Sequence, residues 1–133
     1  MENETRVAIG SATDIVTARQ KGRALAMTLG FNGSDLTLIA TAISEVARNI
    51  VQHAKGGEII LTPIQNGTRQ GILLVARDEG PGIADVSLAL QYGYSTRKGL
   101  GVGLPGAKWL MDEFDIDSKV GKGTTVTMKK WLK

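Results

Sequence analysis

Polar and apolar residues alternate in "TRVAIG", residues 5–10, and then recur at intervals of three and four, so the chain opens with a short strand followed by a helix. Ser11 or Thr13 can cap that helix, which is predicted to run through Leu29 and to close at Gly30, a residue suited to the position just past a helix end. After "NGSD", with Ser34 as N-cap, the spacing of Leu36, Ile39, Ile43, Val46 and Ile50 predicts a second helix to about Ala54 with one apolar face. Gly56 and Gly57 end it. "EIILTPIQ" and "GILLVARD" form two strands of a hairpin around "NGTRQ", whose Asn-Gly pair favours a turn. Beyond "EGPG" the pattern gives a short helix from Asp85 to Gln91, a glycine-rich stretch, and a helix from about Val102 to Asp112 with Pro105 in its first turn. "FDIDSKV", the turn "GKG" and "TTVTMKKW" make a second hairpin.

Hairpins impose antiparallel pairing, and the helices come in pairs rather than alternating with single strands. The expected fold class is therefore α/β, a two-layer sandwich with helices over one face of a mixed, largely antiparallel sheet. No repeat, low-complexity segment or linker divides the 133 residues, which suffice for one core. One domain spanning 1–133 is expected, acting on or with other chains.

Composition narrows the chemistry. With no cysteine and a single histidine, thiolate zinc sites, disulfides and cysteine nucleophiles are excluded, and any metal must be held by oxygen ligands. The formal charge of +3 is spread over dispersed basic residues, and two Phe, two Tyr and two Trp offer little for base stacking, so no nucleic acid is expected as a partner. No apolar run approaches the roughly 20 residues of a membrane helix, and "MENETRV" is not a signal peptide. No membrane association and a cytoplasmic location are the expectation.

Three groups of residues carry candidate chemistry. Glu45 and Asn49, four apart on the second predicted helix, project from one side of it, offset from the apolar stripe. A carboxylate beside an amide oxygen suits a hard cation that keeps most of its water, as magnesium does, and leaves the carboxylate to act as a base. The alternative is that Glu45, Arg48, Asn49 and Gln52 are the solvated face of an amphipathic helix. In "DEGPGI", Asp78 closes an apolar strand and Gly80 and Gly82 let the backbone approach a flat ligand; an acceptor-only carboxylate there can take a hydrogen bond from an exocyclic amine such as adenine's. A plain Gly-Pro turn is the other reading. The third group is "YGYSTRKGLGVGLPGAKWLM", in which Gly99, Gly101 and Gly103 lead into a helix N-terminus with Arg97 and Lys98 alongside, a suitable cradle for phosphate or else a surface loop. Gly101 to Gly106 also satisfies G-x-G-x-x-G, but a dinucleotide loop follows a strand directly and "YGYSTRKGL" is a poor strand; no P-loop motif is present either.

Taken together, "ExxxN" on a helix, "DxGxG" after a strand, "GxGxG" before a helix and "GKGT" between strands resemble, in order, the four nucleotide-binding boxes of the GHKL ATPase and kinase superfamily, from about residue 34 to the end. "ISEVARNI", "DEGPGI", "GLGVGLPGAKWLMDEF" and the final "KWLK" are most similar to the RsbT-type serine/threonine kinases of the bacterial stressosome. The resemblance implies a Bergerat ATP-binding fold with ATP and Mg2+ as cofactors. It gives Asn49 the magnesium, Glu45 the role of general base, Asp78 the adenine amine, Gly80 and Gly82 the adenine pocket, and Thr124 of "GKGT" the same hydrogen-bond network. Residues 92–103 would form an ATP lid, with Gly99, Gly101 and Gly103 along the phosphates and Arg97, or the adjacent Lys98, at the terminal one. His53 is expected to serve packing or the surface near a helix end.

The resemblance further implies STAS-domain substrates and scaffolds of the RsbS and RsbR type, and release from them to activate a downstream effector enzyme. A second reading is an anti-sigma-factor type binding module with kinase activity. A mechanical ATPase would need transducer domains for which 133 residues leave no room, and no dimerisation helices with a phospho-acceptor histidine precede the boxes as a histidine kinase would require.

Overall fold

The computed structural model describes residues 4–54, 56–80 and 103–132. Strand β1 (Thr5–Ile9) leads into helix α1 (Ala12–Thr28) and helix α2 (Gly33–His53), followed by the hairpin β2 (Gly57–Asn66) and β3 (Arg69–Asp78), then helix α3 (Gly103–Leu110) and the hairpin β4 (Glu113–Lys119) and β5 (Gly123–Trp131). The predicted helix from Asp85 to Gln91 lies outside the described residues.

Each boundary has a local cause. Asp14 fixes the start of α1 by accepting the N–H groups of Gly10 and Ser11 on Oδ2, at 2.8 and 3.0 Å. Gly30, at φ +104°, turns the chain at the other end, where the N–H of Phe31 reaches the Ala26 carbonyl and that of Gly30 reaches Met27, a Schellman closure. Helix α2 starts one residue before the expected cap Ser34, with Asn32 flanking it and the Asp35 N–H closing the first turn on the Asn32 carbonyl. The first hairpin is tighter than "NGTRQ" suggests. Asn66 and Arg69 still pair, leaving Gly67 (φ +65°) and Thr68 as a two-residue loop of the kind that matches strand twist.

The sheet order is β1-β2-β3-β5-β4, and every neighbouring pair of described strands is antiparallel. The parallel component that "mixed" allowed for is present only as direction. Strands β3 and β4 run the same way across the α3 connection, but β5 inserts between them and pairs with both. Alternate residues Val7, Ile9, Ile59, Leu61, Ile72, Leu74, Ala76, Val126 and Met128 face the helices and form one core with them.

The two long helices meet this core differently. The predicted stripe of α2, Leu36, Ile39, Ile43, Val46 and Ile50, is buried in full. Helix α1 instead buries only Ala18, Gly22 and Ala26, small residues one turn apart, and a Cβ at Gly22 would stand 2.1 Å from the Ile43 Cδ1. The large side chains of α2 occupy the room that α1 leaves, so α1 lies close against α2. Helix α2 is thereby held along its whole length, and the polar groups it carries are fixed with it.

Candidate functional site

On α2, Glu45 is buried, its side chain 8 % exposed, and its Oε2 accepts a charge-assisted hydrogen bond from Arg48 Nη1 at 2.6 Å. A solvated helix face would not bury a carboxylate, so that alternative fails for Glu45. It holds for Gln52, which is exposed, while Arg48 and Asn49 are half-buried. Asn49 follows Glu45 by one turn, which sets both oxygens toward one side of the helix. His53 is the last residue of α2 and exposed, consistent with a surface role at a helix end.

Asp78 is the last residue of β3 and almost fully buried. Strand alternation turns it to the helix-facing side, in register with Gly57 on one neighbour and Thr124 on the other, and Thr124 is in turn opposite Ser118. Three polar side chains, Asp78, Thr124 and Ser118, thus form a row across the end of the sheet. The next row inward, Ile59, Ala76, Val126 and Ile116, is apolar throughout. Ser118 Oγ and Thr124 Oγ1 lie 2.8 Å apart, and Ser118 also donates to the Gly123 carbonyl at 3.2 Å. Asp78 Oδ1 accepts the Gly80 N–H at 2.9 Å. Among the described residues no hydrogen bond reaches Oδ2, and no buried side-chain oxygen or nitrogen lacks a partner, so Oδ2 is the part of Asp78 open to a ligand.

Two glycines close this end of the molecule. A Cβ at Gly80 would stand 2.7 Å from the Ala54 Cβ and 3.1 Å from the His53 carbonyl, so the turn after Asp78 is pressed on the end of α2, one turn past Asn49. A Cβ at Gly123 would stand 2.1 Å from the Asp78 carbonyl, at a φ of +100° that other residues rarely adopt. These contacts gather the helix-borne pair and the polar row at one end of the fold. A cavity of about 280 Å³ opens at the sheet end, lined by Asp78 and Thr124 from the helix-facing side and by Arg77, Lys119, Gly123 and Thr125 from the other, so it straddles the sheet end, and none of its described lining residues is on α2.

Of the residues singled out in the sequence, Asp78 and Thr124 are in register on neighbouring strands, Gly80 packs on the end of the helix that carries Glu45 and Asn49, and Gly103 starts α3. Gly82, Arg97, Lys98, Gly99, Gly101 and the rest of the expected lid lie outside the described residues. Ser118 was missed. Counting the hairpin back from Gly123 would have found it, because a five-residue interval places it opposite Thr124. Among the described residues no group of three or more His, Cys, Asp or Glu could hold a metal, and no helix is long and apolar enough to cross a membrane.

Comparison with known proteins agrees with this geometry. Residues 10–130 match the family described as the histidine kinase-like ATPase domain. The chain is 45 % identical over 133 residues to the serine/threonine-protein kinase RsbT of Bacillus subtilis, covering 100 % of both chains. It is 34 % identical over 119 residues to an anti-sigma F factor of Caldanaerobacter subterraneus, covering 86 % of this chain and 83 % of that one. A Geobacillus stearothermophilus anti-sigma F factor is 36 % identical over 104 residues, covering 72 % and 69 %.

Proposed function

Because the chain belongs to the histidine kinase-like ATPase family, with the serine/threonine-protein kinase RsbT as a full-length homologue, we propose that it is an ATP- and Mg2+-dependent serine/threonine kinase of STAS-domain stressosome proteins. The observation that carries this reading is the buried polar row Asp78, Thr124 and Ser118 beside the end of the helix that carries Glu45 and Asn49.

Phosphoryl transfer asks mainly for positioning and charge neutralisation. Asp78 Oδ2 accepts the adenine amine, an arrangement that an acceptor-only carboxylate favours over a base presenting a carbonyl at the same point. Thr124, oriented by Ser118, completes that end. The side-chain oxygen of Asn49 fits a hard cation, and with that single donor its remaining ligands would be phosphate oxygens and water. Bound there, magnesium would neutralise phosphate charge. Glu45 receives the proton of the attacking hydroxyl, and Arg48 at 2.6 Å holds that carboxylate in one orientation. Gly99, Gly101 and Gly103, with Arg97 or Lys98, bind the phosphates.

Labelled ATP, magnesium and a STAS-domain partner test the reading. The wild type should phosphorylate a serine or threonine of the partner, and Glu45→Ala should keep ATP binding while losing about 10²–10⁴-fold in transfer. Transfer by Glu45→Ala at the wild-type rate would remove Glu45 as the base. A phosphorylated serine adds roughly −1.5 to −2 charge at pH 7, which would face ATP's phosphates and drive the kinase from its product toward a downstream effector. Undiminished co-elution with fully phosphorylated partner would end the switching reading and leave the kinase reading standing. The identity to anti-sigma F factors supports a second reading, a sigma-factor binding module with kinase activity. Capture of a sigma factor rather than a STAS protein would favour it.

A further inference from the structure

The glycine pair 56 and 57, expected from sequence to stop α2, is not needed for that: the helix ends at His53, and the Ala54 N–H makes its closing bond to the Ile50 carbonyl. Gly57 is instead the first residue of β2, on the helix-facing side, paired with Ile9 of β1 and with Asp78 of β3. The row at the sheet end therefore reads Ile9, Gly57, Asp78, Thr124 and Ser118 across the five strands. A residue with no side chain stands directly beside the candidate ligand-binding carboxylate.

The backbones meet too closely there for any other residue. A Cβ at Gly57 would overlap the Arg77 carbonyl oxygen and stand 3.0 Å from the Asp78 Cβ and 3.1 Å from the Asp78 Cα. Carbon atoms rest at about 3.5–4.0 Å, so the shortfall would fall on Arg77 and Asp78 themselves. At Gly22 the nearest obstacle is the tip of the Ile43 side chain, which can turn aside; at Gly57 the obstacles move only with the strand. On the other flank a Cβ at Gly123 would overlap the Asp78 carbonyl oxygen, so Asp78 is clasped between two residues without side chains. Its Oδ1 is held by the Gly80 N–H at 2.9 Å, and the direction of Oδ2 then follows the backbone. A hydrogen bond of about 2.9 Å is lost once it lengthens past about 3.5 Å, so a displacement of about 0.6 Å is enough to remove one.

We infer that Gly57 is a positioning residue for Asp78: by letting β2 close on the end of β3 it places the carboxylate that selects a ligand's exocyclic amine. The inference rests on the proposed reading in which Asp78 Oδ2 accepts the adenine amine. Selectivity separates this role from packing, since loosened packing weakens every ligand alike, whereas a displaced Asp78 weakens only those that carry the amine.

The test compares adenosine with purine riboside, which lacks only the amine, by calorimetry on the full chain, with trimethylamine N-oxide in every sample to favour the compact state and circular dichroism to verify folding. Wild type should prefer adenosine by about tenfold or more, as a hydrogen bond to a charged group gives. Gly57→Ala should lower adenosine affinity about tenfold while purine riboside changes by less than about twofold, so that the preference collapses. Gly56→Ala, whose Cβ would meet the Ile9 carbonyl at 3.2 Å, should cost stability and leave the preference intact. If Gly57→Ala is only partly folded, the shift that each nucleoside makes in its urea-unfolding midpoint reads the same ratio. Gly123→Ala, which presses on Asp78 from the other flank, is the second variant should Gly57→Ala not fold at all, with the same loss of preference expected. A parallel fall in both affinities, or an unchanged preference, in the folded variant would overturn the inference and leave Gly57 a packing residue. Wild-type protein that binds both nucleosides alike would instead remove the amine reading of Asp78 on which it rests.

Discussion

The two ends of strand β5 both carry buried polar groups on the helix-facing side, and they differ in what those groups have left to offer. At Lys130 the fold uses the donors: one goes to the Leu110 carbonyl, Asp112 stands beside it, and on the outer face Trp131 covers Gly71 with its indole N–H on Glu113 Oε2 at 2.7 Å and the Arg69 guanidinium 4.8 Å above its ring. At Thr124 the hydroxyl is paired with Ser118, but Asp78 next to it keeps an accessible oxygen. A buried group bonded inside the chain stabilises a fold, whereas a buried group with one acceptor open keeps that atom available to a ligand. The same strand has one of each at its two ends because Val126 and Met128 separate them with a dry core.

Disrupting the far end should damage the fold first. Trp131→Ala removes a buried ring and leaves space over Gly71, an expected loss of about 3–5 kcal/mol in urea unfolding, with adenosine affinity of the folded fraction unchanged. Equal stability would mean that the Arg69, Trp131 and Glu113 stack contributes nothing. At the site end the expected loss is in binding. Asp78→Asn can present a donor where the ligand's amine also donates, so ATP affinity should fall by about 1–3 kcal/mol, roughly 5–150-fold, with a much smaller change in unfolding midpoint. Calorimetry giving the wild-type affinity would remove Asp78 from recognition. Ser118→Ala sharpens the contrast within the row. Losing the group that orients Thr124 should weaken ATP by about 0.5–1.5 kcal/mol, less than the Asp78 change, and the reverse ranking would make Ser118 the direct contact.

The smallest effect is at a cap remote from both ends. Backbone N–H groups of Gly10 and Ser11, with the Ser11 hydroxyl, hold the exposed Asp14 carboxyl below the usual carboxylate range. The unfolded chain therefore takes up this proton more readily than the folded one. The cap's contribution is complete above the ordinary aspartate pKa of about 3.9 and is lost as pH falls through the lower folded value. Melting curves from pH 7 to pH 2.5 should show Asp14→Asn less stable than wild type at neutral pH and the difference shrinking in acid. A gap that stays constant across that range would show that the carboxylate's charge is not what the cap uses.

Much of this architecture is legible along the chain. The spacing of Leu36, Ile39, Ile43, Val46 and Ile50 determines both that α2 is a helix and which face it buries, because that period meets the core only as a helix. Alternation and turn glycines likewise determine the two hairpins, and motif order brings Glu45, Asn49, Asp78, Gly80 and Thr124 forward as candidates. Glu45 shows where this reading stops. Its offset from the stripe is visible in sequence, but its burial depends on what covers α2, and Arg48 as its partner depends on rotamers.

Sequence by itself determined which residues are strand, helix and turn, because those are set by local sterics and by the period of apolar side chains over a few residues. Only the tertiary structure decided that β5 enters between β3 and β4, since hairpin patterns do not say which strand lies at the edge. That placement puts Asp78, Thr124 and Ser118 in one row from strands up to 46 residues apart in sequence (124 − 78), and it leaves Lys130 under the end of α3. Lys130 could not be read as buried from its own neighbours, "MKKW", because the free energy of placing a lysine there comes from a carbonyl 20 residues earlier, which reaches it only when the sheet and helix are packed.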